Sequence, residues 1–293
     1  MKASTLDQAA IKWRRRRLLT QWVGIPLVYI LLLVAGIVFI APFLWMVVTS
    51  LKLSEQVFAW PPILIPHPIR WANYYDALTF LPFGLYFRNS TTVCTLVVLG
   101  TVMSNTLVAY GFARVDWIGR DAVFVLVLAT MMLPMQVTMI PMFIIFRKLG
   151  WIGTFAPLTV PAFLGSAYYA FLMRQFFRSI PFELSDAARI DGASEFGIFA
   201  RIIMPMSKPV VTTVGLFAFI YTWNDFMGPL VYLHDERLYT VQLGLQQFQS
   251  RYVTPMNQLM AASAVAIVPV VVVFLLAQRT FVEGISITGL GGR

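Results

Sequence analysis

Charge is scarce in this sequence. Of its 293 residues only 12% are Asp, Glu, Lys or Arg, about half of the roughly 25% usual in soluble domains. A water-soluble globule of this length needs more polar surface than that, which excludes an ordinary soluble enzyme. Cysteine is rarer still: Cys94 is the only one. A disulfide within the chain, a cysteine zinc site and a paired-thiol redox motif are therefore excluded, and Cys94 reads as a small packing residue. There are two histidines, His67 and His234, and no H-E-x-x-H or G-x-S-x-G stretch, so metal-dependent and serine hydrolysis lack their residues. A G-x-x-x-x-G-K-[ST] stretch is also missing, so the chain cannot cradle nucleotide phosphates itself. No catalytic residue, metal site or cofactor of its own is expected; the chain reads as no enzyme.

What is present is long apolar sequence. Six windows, residues 23–51, 89–113, 122–146, 149–173, 209–234 and 252–278, contain one charged residue between them, Asp225. Each is at least 25 residues long. At about 1.5 Å per residue, such a helix reaches roughly 37 Å, enough to cross a hydrocarbon core of about 30 Å. Helix is the natural form because lipid offers no partner for a free N–H or C=O. The expectation is an all-α polytopic membrane protein with six transmembrane helices. Its parts are a basic segment 1–22, a transmembrane domain 23–280 with an inner loop at 181–205, and a glycine-rich tail 281–293. The first apolar run is too long for a signal-peptide core and no small-residue cleavage site follows it, so it reads as a retained helix.

The net charge of +9 invites a nucleic-acid reading, but its placement favours a membrane. Six spans put both termini on one side. That side (1–22, 114–121, 174–208, 279–293) carries 15 Lys and Arg, against 7 on the other, and the cation-rich side is expected to be the cytoplasm. The run of four arginines at 14–17 is the strongest anchor, with anionic headgroups as its contact. Trp22, Trp45, Trp117 and Trp151 suit interfacial belts.

Two outer segments are large. Residues 52–88 contain Trp60-Pro61-Pro62 and Pro66-His67-Pro68, which read as extended or turning chain. In residues 235–251, Tyr239, Val241, Leu243 and Leu245 alternate, a strand-like pattern. These are either solvated loops or docking sites for a soluble partner.

The inner segment 174–208 says more. Pro181 suits the first turn of a helix. Leu184, Ala187, Ala188 and Ile190 can share an apolar side, with Glu183, Asp186 and Arg189 toward water; Asp186 and Arg189 are neighbours on a helix surface. Gly192 can reverse the chain because it tolerates positive φ. A second helical stretch, 194–203, is expected to end before Pro205. The result is a helix–turn–helix beside the membrane, either a structural amphipathic loop or a contact for a partner.

Asp186-Ala187-Ala188, three residues, Gly192, nine residues, then Ile202-Ile203-Met204-Pro205 resembles the E-A-A…G…I-x-L-P loop of binding-protein-dependent ABC importer permeases. Asp186 stands for Glu and Met204 for Leu, and both swaps keep charge or apolarity. Pro181-x-Glu183-Leu184, Ile190-Asp191-Gly192-Ala193-Ser194 and Trp223-Asn224-Asp225-Phe226 are similar to the carbohydrate branch. The glycines of the tail, 284, 289, 291 and 292, resemble the shorter, six-span type of maltose-importer subunit.

The resemblance implies the type I ABC importer permease fold in a bacterial cytoplasmic (inner) membrane, both termini cytoplasmic. It implies a second permease as heterodimer partner, two ATPase subunits that bind ATP and Mg, and an extracytoplasmic solute-binding protein. The function implied is carbohydrate import, of an oligosaccharide above all. The loop residues Glu183, Asp186, Ala187, Ala188, Asp191, Gly192, Ala193, Ser194 and Pro205 would then dock on the ATPase, the small ones permitting close approach and the acidic ones supplying charge. Nucleic acid is not among the partners.

A substrate path is less legible. Asp225 is the one acid inside a window, near its outer end, and an intramembrane charge is a functional candidate by default. Asn224 and Asp225 fit either sugar hydroxyls or a latch to a neighbouring helix; Trp223 fits either stacking on a sugar ring or a membrane belt. Pro134 and Pro141, with Gln136 and Thr138, make the third span either a cavity wall or a plain kink. Met131, Met132, Met135, Met139 and Met142 read as packing. The alternative class is an ion-driven secondary carrier, which would want acids or bases at mid-membrane and an internal repeat; one peripheral acid and no visible repeat speak against it.

Overall fold

The computed structural model describes residues 24–249 and 255–290, with side chains as far as residue 278. The basic segment 1–22, with the arginines at 14–17 and Trp22, lies outside the described residues, as do Gly291 and Gly292. Every regular element among the described residues is helical. Four stretches are long and apolar enough to cross a bilayer: Ile25–Ser50, Phe83–Ala113, Ala156–Ser179 and Met256–Gln278. Two bent pairs bring the number to as many as six: Arg120–Met132 with Met135–Lys148, bent by 99°, and Glu195–Met206 with Lys208–Trp223, bent by 78°.

By internal contacts the chain forms two compact units, Met1–Tyr74 with Pro255–Ala264, and Tyr75–Thr254 with Val265–Arg293. In the first, α1 (Ile25–Ser50) is apolar all round and buries only Thr49 and Ser50, as a helix surrounded by lipid or partner helices would. The chain leaving it is stitched by Asn73, whose Nδ2 donates to Ser50 O and Lys52 O at 2.8 Å each. Asn257 Nδ2 donates to Lys52 O as well, at 3.2 Å. Residues 58–71 form no helix, as their prolines require. The short helix α2 (Ala72–Phe80) follows.

The second unit is built around α3 (Phe83–Ala113). The third span is not one helix. It is α4 (Arg120–Ala129), a tight 3₁₀ turn Thr130–Met132, and α5 (Met135–Lys148). Pro134 forces the break: it drives Leu133 into extended geometry, ψ 114°, because the ring clashes with a helical predecessor. Pro141, by contrast, lies inside α5. The fourth span is also interrupted, by a 3₁₀ turn Val160–Leu164 and Gly165, before α6 (Ala167–Ser179).

The loop at 181–205 contains α7 (Glu183–Ile190) and α8 (Glu195–Ile198). The fifth span divides into α9 (Lys208–Trp223) and α10 (Met227–Tyr232). Next come α11 (Val241–Gln249) and α12 (Met256–Leu290). The strand-like expectation for 235–251 is corrected by α11. Val241, Gly244 and Phe248 are buried together, a spacing of three and four that suits one helix face as well as the alternation suited a strand. The backbone of α12 passes through Gly284 and Gly289 of the tail.

Candidate functional site

The loop at 181–205 turns where its sequence says it should. Gly192 has φ +83°, a left-handed conformation that glycine enters without steric cost. Ala193 N donates to Ala188 O at 2.9 Å and Gly192 N to Arg189 O at 3.0 Å, the paired bonds of a Schellman cap on α7. Ser194 begins the next helix, its Oγ accepting from Gly197 N at 3.1 Å, an N-cap bond. Arg189 then ties the two arms together: Nη1 donates to Asp186 Oδ1 at 2.8 Å and Nε to Glu195 Oε1 at 2.7 Å.

The face of α7 that packs inward differs from the expected one. Ser185 is fully buried and Ala188 partly so, while Leu184, Ala187 and Ile190 are exposed, Ile190 at 87%. Small side chains let α7 approach its support closely, and that contact outweighs burial of the larger apolar ones. The outward surface therefore carries Glu183, Asp186, Ala187, Ile190 and Asp191, continued by Phe196, 71% exposed. Gly192, Ala193 and Ser194 are exposed on the same turn.

The second arm also departs from expectation. It does not end before Pro205; a π-helical turn, Phe199–Ile203, leads into Met204–Met206, and the chain bends at Ser207. The wide turn accommodates proline, which has no N–H to give the ladder. Pro205 itself is exposed. Ile198, Phe199 and Ile203 sink into a cluster with Tyr110, Met173 and Phe177, which roots the loop in α3 and α6.

Three residues that sequence reasoning passed over hold this arrangement. Tyr110 Oη donates to Glu195 Oε2 at 2.7 Å; Arg189 foremost, and Tyr110 after it, hold the Glu195 carboxyl below its ordinary range. Arg114, 3% exposed, donates Nε to Phe177 O at 3.0 Å and Nη2 to Ile180 O, capping the carbonyls at the end of α6. Arg174 acts in the reverse direction: its Nε donates to Phe112 O, near the end of α3, at 3.0 Å, and its Nη2 pairs with Asp121 at 3.1 Å. In the sequence, Arg114 and Arg174 counted only as topology charges. The available signal was position, since each is the first residue beyond an apolar window.

A cavity of about 330 Å³ lies in the second unit, between α3, α5, α6, α9 and α10. Among the described residues Asp225 is the one charged residue on its wall, which otherwise presents methionines, tyrosines and hydroxyls, among them Met139, Thr138, Tyr169 and Tyr221. Asp225 Oδ1 accepts from Gly228 N at 3.0 Å, which fixes the carboxylate at the break between α9 and α10.

Of the four residues considered for a substrate path, the cavity takes in only Asp225. Trp223 is buried at 3% exposure, donates Nε1 to Ala266 O at 3.0 Å and packs on Phe87 and Phe219. Asn224 is exposed and donates to Ile220 O at 2.8 Å. Gln136 is exposed on α5, off the cavity.

Residues 97–287 match the family described as binding-protein-dependent transport system inner membrane component. The chain is 34% identical over 268 residues to the probable ABC transporter permease protein YurM of Bacillus subtilis, covering 90% of this chain and 88% of that one. It is 32% identical over 269 residues to the arabinooligosaccharides transport system permease protein AraQ of Halalkalibacterium halodurans, covering 89% and 96%. It is 33% identical over 271 residues to the sn-glycerol-3-phosphate transport system permease protein UgpE of Yersinia pestis, again covering 89% and 96%. The fold matches a chain in the crystal structure of a bacterial ABC transporter involved in the import of the acidic polysaccharide alginate. The TM-score is 0.78 at 23% identity, over 89% of this chain and 97% of that one. The all-α architecture is thus that of an ABC importer permease, and the chain belongs to the family of inner membrane components of binding-protein-dependent transport systems.

Proposed function

We propose that this chain is one of two permease subunits of an ATP-driven importer for an uncharged oligosaccharide, working in a bacterial cytoplasmic membrane with both termini inside. It performs no catalysis. ATP and Mg belong to two partner ATPase subunits, and a solute-binding protein delivers the sugar from outside. The observation that carries the reading is the outward surface of the inner loop. Ile190 and Phe196 are large apolar side chains held in the open beside Glu183, Asp186 and Asp191, and apolar surface rimmed by charge is characteristic of a contact awaiting its partner. The paired arms give the ATPase a stiff handle, and nucleotide binding would favour one permease conformation by the difference in contact energy between the two.

The substrate class rests on the cavity. Identity to relatives does not separate substrates, because 32–33% is shared with both an arabinooligosaccharide and a glycerol-3-phosphate permease. The cavity wall supports an uncharged one: among the described residues it holds a carboxylate and no Lys, Arg or His, an environment that repels anions and accepts hydroxyl donors. Tyrosine rings beside it suit the apolar faces of sugars.

The test is uptake by the complete transporter in vesicles. Accumulation of a neutral oligosaccharide should require ATP and survive collapse of the proton gradient, and a uronate oligomer should not compete. Accumulation driven by the gradient without ATP would instead identify an ion-driven carrier. Efficient competition by the uronate would refute the uncharged substrate alone.

A further inference from the structure

Among the membrane-crossing stretches, α3 stands apart. α1 contains Pro42 and α12 contains Pro269; the third span is bent by 99°; the fourth is interrupted by its 3₁₀ turn. α3 runs 31 residues from Phe83 to Ala113 with no proline. At about 1.5 Å per residue it is roughly 46 Å long, so it is the long helix of this unit, among the described residues, that no proline interrupts or kinks.

Both of its ends are gripped, and by different things. At the Ala113 end, Tyr110 donates to Glu195 Oε2 at 2.7 Å in the inner loop, and Arg114, one residue past the helix, holds Phe177 O, Ile180 O and Pro181 O where the loop begins. At the Phe83 end, the grip is on the segment between α10 and α11. Tyr86 Oη donates to Glu236 Oε1 at 3.0 Å. Asn89 Nδ2 donates to Arg237 O at 2.8 Å and Tyr239 O at 3.0 Å, and Ser90 Oγ accepts from Val241 N at 2.9 Å. Asn89 is 3% exposed, and buried bonds of this kind are costly to leave unmade.

We propose that α3 is the mechanical link between the two faces of the permease, with Tyr110 and Asn89 as the positioning residues that fasten its ends to the inner loop and to residues 236–249. A stiff helix clamped at both ends transmits tilt, whereas a proline-broken neighbour absorbs it at the break. Movement of the loop thus becomes movement of the outer segment without a wire of side chains between them. The proposal rests on reading the loop at 181–205 as the ATPase contact.

The experiment uses the complete transporter in vesicles, with Cys94→Ser and a fluorescent reporter on a cysteine placed at Ala200, on the second arm of the loop and outside its docking residues, or at Gln246, both exposed. In the otherwise native protein, ATP should shift both reporters. Tyr110→Phe keeps the ring contact with Phe199, centroids 5.2 Å apart, and loses only the hydroxyl. It should leave the response at 200 in place, cut the response at 246 about five- to tenfold, and lower sugar carried per ATP hydrolysed by the same factor. Asn89→Leu should do likewise from the other end. The double variant should be no worse than either single one, as expected of links in series. If both single variants keep the response at 246 and uptake per ATP within twofold of native, α3 is not the link. If the otherwise native protein shows no response at 200, the loop reading falls and takes this one with it; a response at 200 with none at 246 overturns the link alone.

Discussion

Gly192 offers the sharpest perturbation of the loop. Its φ of +83° is a conformation that costs an ordinary L-residue about 1–2 kcal/mol, and a Cβ placed there would meet nothing within 4 Å. Strain, not collision, is the whole effect. Gly192→Ala should therefore leave the membrane domain assembled, while the Schellman-capped geometry becomes about 5- to 30-fold less populated against its alternatives. Gly192→Asn, whose side chain tolerates the left-handed region, should lose much less. Gly192→Asp should tolerate the backbone similarly but add a charge beside Asp191, uncoupling hydrolysis from uptake. The assay is sugar uptake and ATP hydrolysis measured together on reconstituted complex, for glycine, asparagine, alanine and aspartate. The expected order of coupling is glycine, then asparagine, then alanine, with aspartate uncoupled although the protein is assembled. Equal coupling in all four would refute the role of the turn as part of a lever.

Further expectations concern charge and packing. The Glu195 carboxyl is held below its ordinary 4.5, first by Arg189 and then by Tyr110. A depressed carboxylate contributes stability above its unfolded value, which is lost as pH falls through the folded one; the pair is half exposed, so the contribution is below about 1 kcal/mol. Amide protection of residues 193–198, corrected for intrinsic exchange, should be flat from pH 7 to 5 and fall below 4.5, and Glu195→Gln should abolish that fall; a pH-dependent loss persisting in the variant would contradict the assignment. Gly244→Ala would drive a methyl into the fully buried Tyr86 ring and should destabilise by about 1–3 kcal/mol, read as a lowered Tm in detergent; an unchanged Tm would show the contact to be slack. Asp225→Asn keeps an acceptor for Gly228 N and should permit anionic sugars to compete for uptake, whereas unchanged exclusion would place selectivity elsewhere.

Much of this architecture was legible because lipid imposes length and apolarity on any helix that crosses it. The apolar windows locate α1, the end of α3 at Ala113 and the crossing part of α12 within a few residues, although α3 begins well before its window, at Phe83, and the spacing around Gly192 locates the turn. The internal breaks were not legible in the same way. Pro42, Pro141 and Pro269 lie inside helices while Pro134 ends one, and only the tertiary surroundings decide whether a freed carbonyl is met. The buried face of α7 was misjudged because hydrophobicity favoured Ile190, whereas close packing selected Ser185 and Ala188. In α11, Val241, Leu243, Gly244 and Phe248 satisfy both periods. Trp223 shows the limit for the cavity: its place beside Asp225 in sequence says nothing of the side chain's direction, which the break at Asn224 and the bond to Ala266 O determine.

The claim beneath all of this is that the exposed face of α7 is gripped by an ATPase. Ala187 lies on that face, and Cys94, the single native cysteine, is buried. With Cys94→Ser and Ala187→Cys, a short thiol crosslinker applied to the complete transporter should join this chain to the ATPase subunit, with a yield that changes when ATP is added. Labelling of the thiol introduced at position 187 by an impermeant reagent from outside intact cells, with no ATPase adduct, would contradict the account.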